Sequence, residues 1–124
     1  MNWEITFKDE KHQNRFADSI NLVSGDGQKL DREYGSALFL LTSTAEIWNR
    51  SKKHVSREGI DFQTMLEKGT FSSGEQVVAN LAWELFGAYG SSRFIISDLT
   101  TSIDSDYFKV CIQAIILRQG GNFT

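Results

Sequence analysis

Apolar residues in this chain recur mostly at helical spacing. His12, Phe16, Ile20 and Val23 fall three and four positions apart, which predicts a helix over about 8–23. Upstream, Trp3, Ile5 and Phe7 alternate with polar residues, a pattern that also suits a short strand. Thr6 and Asp9 have the spacing of a weak capping box, so the helix is favoured, with Trp3 and Ile5 packing back onto the core. Ser24-Gly25-Asp26-Gly27 reads as a loop. Asp31 then stands as an N-cap, and Tyr34, Ala37, Leu38 and Leu41 line one face. Apolar positions continue through Ala45, Ile47 and Trp48. One long or broken helix is predicted over 31–50. Its predicted break is Thr42-Ser43-Thr44, whose hydroxyls compete for backbone hydrogen bonds.

Residues 51–60 are polar and read as a loop. Asp61 can cap a short helix over 62–68, with Ile60 and Met65 at hydrophobic-staple spacing and Gly69 as its stop. Ser72 and Glu75 form a capping box that opens a helix over 73–87. Its polar or small positions, Gln76, Asn80, Glu84 and Gly87, make one narrow stripe, so this helix should be largely buried. After a turn at 87–92, the apolar residues of 94–99 fit strand or helix. Asp104 caps a last helix over 105–118, with Ile103 and Phe108 at staple spacing and Asp106, Lys109 and Gln113 as its polar stripe. Gly120 and Gly121 end it, and 122–124 should be a frayed tail. The expected fold is mainly α: a compact single-domain bundle of five or six short helices, with central helices near 73–87 and 105–118.

Composition sharpens this picture. With 124 residues, one domain over 1–124 is expected. Proline is absent, so turns rest on Gly, Asn, Asp and Ser. A net charge of −3 speaks against a general nucleic-acid binder. A single cysteine allows no internal disulfide, which suits a reducing compartment. The start of the chain has no basic, apolar leader. Its longest apolar run, Ala37 to Leu41, is far below the ~18 residues of a membrane span. A soluble, cytoplasmic protein is expected.

Each candidate for chemistry has a plainer structural reading. Gly25-Asp26-Gly27 lacks the Lys-Ser/Thr pair of a phosphate loop and reads as a turn. His12 and His54 are 42 positions apart and form no local zinc motif; His12 sits on an apolar face as a packing residue. Cys111 lies in an apolar helix, where a buried thiol is inert. Asp98, Asp104 and Asp106 match no calcium loop, and capping with dipole complementation explains the latter two. Phe71-Ser72-Ser73-Gly74-Glu75 opens a helix whose exposed N–H groups suit an anion, but Glu75 occupies that position itself.

The most asymmetric feature is Arg50, Lys52, Lys53, His54 and Arg57, uninterrupted by an acid until Glu58, while 69–92 holds no Lys or Arg. The sharp reading is a contact patch for phosphates or for an acidic protein surface, with Trp48 as an aromatic anchor. The plain reading is a solvated loop.

Phe71-Ser72-Ser73-Gly74-Glu75 leading into Leu81-Ala82 and Leu85-Phe86, then Ile103-Asp104 and Ala114-Ile115 with Arg118, resemble a group of small proteins of Gram-positive bacteria and their mobile elements. The likeness spans about residues 7–118. It implies a helical fold and a phage or mobile-element origin, and brings no catalytic residues.

Two functional expectations follow. One is a non-enzymatic protein-interaction module, such as a phage or mobile-element protein that binds and inhibits a host defence factor. The other is a module for nucleic acid or a phosphorylated ligand that uses the basic 50–57 segment. No enzyme, cofactor, metal or membrane association is implied, and a homodimer is compatible with either expectation.

Overall fold

In the computed structural model, which describes residues 3–24, 30–87, 90–101 and 103–123, the chain is mainly helical. Among the described residues, seven α-helices run in order: α1 (Glu10–Val23), α2 (Arg32–Leu41), α3 (Ala45–Ser51), α4 (Phe62–Lys68), α5 (Ser73–Phe86), α6 (Asp98–Thr101) and α7 (Ser105–Gln119). Two small sheets complete them. Strands β1 (Glu4–Ile5) and β4 (Asn122–Phe123) pair in parallel, and β2 (Val55–Ser56) and β3 (Gly59–Ile60) form an antiparallel hairpin.

α2 shares the centre with α5 and α7, the two helices that the narrow polar stripes single out. Every residue from Gly35 to Leu41 is buried, and α2 packs against both α5 and α7. Its polar positions lie at its start, so its buried stretch has little amphipathic signature. α7 buries only Val110, Cys111, Ala114 and Leu117.

The break at 42–44 forms as the hydroxyl chemistry predicts. Thr42 Oγ1 donates to the Leu38 carbonyl at 2.6 Å and Ser43 Oγ to the Leu40 carbonyl at 2.7 Å. Thr44 then caps α3 by accepting from the Ile47 N–H. The carbonyls of Thr42 and Ser43 are taken by the Arg15 guanidinium at 2.7 and 3.1 Å. This places a cation at the negative end of α2.

Both ends of the chain depart from expectation. Asp9, not Thr6, caps α1, its carboxylate accepting from the His12 N–H. Ile5 is buried, but Trp3 is 59% exposed and does not join the core. The expected frayed tail is instead strand β4. Asn122 N–H donates to the Trp3 carbonyl, and Phe123 stacks on Phe7 with ring centroids 5.0 Å apart. Phe7, His12, Phe16, Phe39 and Phe123 form one aromatic cluster. In the 94–99 segment Leu99 is buried at the start of α6, whereas Ile95 and Ile96 are exposed. The loop at Gly25-Asp26-Gly27 lies outside the described residues.

Candidate functional site

Residues 51–60 are more ordered than a polar loop. Lys52–His54 make one 3-10 turn that continues α3, with the Lys52 N–H on the Trp48 carbonyl. The β2–β3 hairpin follows, pairing Val55 with Ile60 and Ser56 with Gly59. Val55 and Ile60 are buried and hold the hairpin to the core. Gly59 adopts φ +147°, a conformation that a side chain would strain. Tyr34 fixes the tip: its hydroxyl lies 3.0 Å from the Ser56 carbonyl and 3.2 Å from that of Arg57. The Tyr34 ring meets Phe86 edge-on at 4.9 Å.

The basic residues on this frame divide into two kinds. Lys52, Lys53 and Arg57 are exposed, and His54 is half-buried. Among the described residues the salt bridges are Arg50–Glu75 and Arg118–Glu33, so the exposed cations of the turn stand outside ion pairs. Arg50 is different: its guanidinium contacts both carboxylate oxygens of Glu75 at 3.2 and 3.3 Å. Trp48 is different again. It is 6% exposed and belongs to the core, so it supports the turn from below and offers no surface anchor.

Folding adds a cation that sequence proximity did not suggest. A hollow of about 220 Å³ is lined by Asn49, Arg50, Lys53, His54, Lys68 and the Gly69–Thr70 turn. Lys68 ends α4, and only the packing of α4 beside the 3-10 turn brings it here. Gly69 permits the turn that follows: a Cβ there would lie 2.6 Å from the Met65 carbonyl oxygen and 2.6 Å from the Phe71 ring. The available signal was the helix stop itself, which put a lysine at a defined terminus.

A larger cleft of about 510 Å³ lies between α4, α5 and residues 91–93. Gln76 and Asn80, from the thin polar stripe of α5, line it with Trp83 and Arg93. Structural bonds occupy much of this stripe. Asn80 donates to the Gln76 carbonyl and accepts from the Arg93 N–H, Gln76 donates to the Phe71 carbonyl, and Glu84 accepts from Ser92. The stripe therefore seats the 91–93 segment along α5.

The remaining candidates take their structural readings. His12 is buried, with its Nδ1 accepting from the Lys8 N–H and its Nε2 2.8 Å from the Phe39 carbonyl. Those partners require a neutral ring with its proton on Nε2. Burial drives its pKa down to about 4, against the hydrogen bond to Phe39, which favours the charged form. Burial pushes the Cys111 thiol up to about 12. Asp104 caps α7 through the Tyr107 N–H. Among the described residues, no three His, Cys, Asp or Glu side chains come together as a cation site. The capping box is complete, with Ser72 and Glu75 each accepting from the other's N–H.

No family model, curated protein or solved structure matches this chain. Among the described residues, no helix is long and apolar enough to cross a membrane.

Proposed function

We propose that the chain is a non-enzymatic interaction module that docks on an acidic surface of a protein partner through the 50–57 turn. One observation carries this reading. Lys52, Lys53 and Arg57 are exposed, lie outside ion pairs, and sit on a segment held by Val55, Ile60, Trp48 and the Tyr34 hydroxyl. A contact surface with a fixed backbone loses less freedom on binding than a mobile loop does. The patch is short and flanked by Glu46, Glu58, Asp61 and Glu67 on a chain of net charge −3. A local acidic face suits it better than the continuous phosphate track of a nucleic acid. A phage or mobile-element protein that blocks a host defence factor is the biological version of this reading.

The test is a paired substitution, Lys52→Glu with Arg57→Glu. Both positions are exposed, so stability should change by no more than about 0.5 kcal/mol. Affinity capture from host lysate, with and without nuclease, compares this variant with the parent chain. The expected result is an acidic protein retained by the parent, lost by the variant and indifferent to nuclease. Association should slow at least tenfold at low salt. An unchanged capture profile, or retention that nuclease abolishes, would overturn the proposal.

A further inference from the structure

The hollow beside the turn has a charge balance of its own. Arg50 is offset by Glu75, with which it is paired at 3.2 Å. Lys53 and Lys68 remain, contributed by the 3-10 turn and by the end of α4; the Asp61 carboxylate, which caps α4, feels Lys68 and His54 but does not line the hollow. The ends of α3 and α4 contribute at most about half a negative charge each. Dipole complementation therefore accounts for about one of the two lysines, and Arg50 also lines the hollow. Asn49 and His54 add further hydrogen-bonding groups to the wall.

We infer that this hollow is an oxyanion socket for a phosphate monoester, carried on a phosphorylated side chain of the protein partner. The assignment of the carrier rests on the function proposed above; the socket itself rests on the lining. Two lysines match the charge of about −1.5 to −2 on a phosphate monoester near pH 7. They exceed what one carboxylate requires. Ammonium and guanidinium groups only donate, and so does the Asn49 amide nitrogen. A phosphate monoester presents three strong acceptor oxygens and no competing donor when fully ionised. The volume of about 220 Å³ admits one such group with its ester oxygen pointing out to solvent. The larger cleft at Gln76 and Asn80 lacks this selectivity, because Glu67 and Arg93 bring both signs to its lining and its amides already serve the backbone. On the open side, Lys52 and Arg57 lie nearby along the chain and would meet the acidic residues around a phosphosite.

The experiment is amide-resolved NMR titration of the full chain with five probes. These are inorganic phosphate, inorganic sulfate, a phosphoserine peptide with acidic flanks, the same peptide with Glu for phosphoserine, and a 5′-mononucleotide. Phosphate should shift the amides of Asn49, Lys53, His54 and Thr70 selectively. The phosphoserine peptide should bind at least tenfold more tightly than free phosphate, and the Glu peptide at least tenfold more weakly than the phosphopeptide. Lys68→Gln and Lys53→Gln should each weaken phosphate at least tenfold, with an otherwise unchanged spectrum, while Lys52→Gln should leave it as it was. The socket is refuted if shifts spread evenly over the basic residues, if sulfate and phosphate act alike through bulk screening, or if Lys68→Gln behaves as Lys52→Gln does. If free phosphate binds as tightly as the peptide, the carrier assignment fails and the socket stands. A 5′-mononucleotide that binds more tightly than the phosphopeptide has the same meaning. Loss of partner capture by Lys52→Glu with Arg57→Glu is read separately, so failure of the docking surface and failure of the socket are distinguishable.

Discussion

Arg50 and Glu75 are joined across α3 and α5, with Nη1 within 3.3 Å of both carboxylate oxygens. The same carboxylate accepts from the Ser72 N–H at 2.8 Å. One buried acid thus closes a helix cap and anchors the base of the basic turn. Glu75→Ala should destabilise the fold by about 1–3 kcal/mol, because it removes the cap bond and leaves the guanidinium unpaired. Glu75→Gln should cost less, since its amide oxygen can still accept from Ser72. Urea unfolding at neutral pH measures both; equal losses would show that the charge, not the cap, is what matters.

His12 should make stability depend on pH. Its folded pKa, about 4, lies below the ordinary 6.5, so the unfolded chain takes up the proton first. Its contribution is fully present above pH 6.5 and is lost as pH falls from 6.5 toward 4, by roughly 3 kcal/mol in all. Asp9, whose carboxylate is held below its usual range chiefly by the His12 N–H, adds a smaller loss at more acid pH. Urea midpoints from pH 7 to pH 4.5 should fall steeply for the parent chain. They should fall less for His12→Gln, and parallel curves would contradict the assignment.

Tyr34→Phe isolates the tether on the hairpin. It keeps the ring against Phe86 and removes the hydroxyl from the Ser56 and Arg57 carbonyls. Stability should drop by about 1 kcal/mol. Hydrogen exchange should rise at residues 55–60 and stay as it was in α5. Uniform exchange changes would mean that the hairpin is held by Val55 and Ile60 alone.

Gly69→Ala should be poorly tolerated although its φ of −75° is ordinary. The added methyl would meet the Met65 carbonyl and the Phe71 ring, at a cost of about 1–3 kcal/mol. A thermal melt tests this directly, and a neutral result would show that the turn can relax.

The caps were the most legible part of the chain. Asp31, Asp61, Ser72 and Asp104 all cap helices where sequence placed them, because an N-cap is decided within four residues. The Thr42–Thr44 break was legible for the same reason. What escaped depends on distant partners. β1 and β4 make strands only because they have each other, and α2 joins the centre only once α5 and α7 pack on it. The basic run was visible as a run, but its division was not. Burial took Trp48 and a carboxylate 25 residues away took Arg50. Packing between α4 and the 3-10 turn brought Lys68 beside Lys53.

The pairing of Glu4 with Asn122 and of Ile5 with Phe123 has a kinetic consequence. Each helix can begin to form from its own residues, since its N-cap is local. Phe7, Phe16 and Phe39 touch one another, but the side of that cluster on which Phe123 packs stays uncovered until β4 pairs with β1. Completion therefore waits for both strands, and this step brings together positions 118 residues apart. Contacts of that range slow folding relative to a helical bundle with local contacts only. Until then, the faces of Phe7 and Phe16 that Phe123 covers remain open.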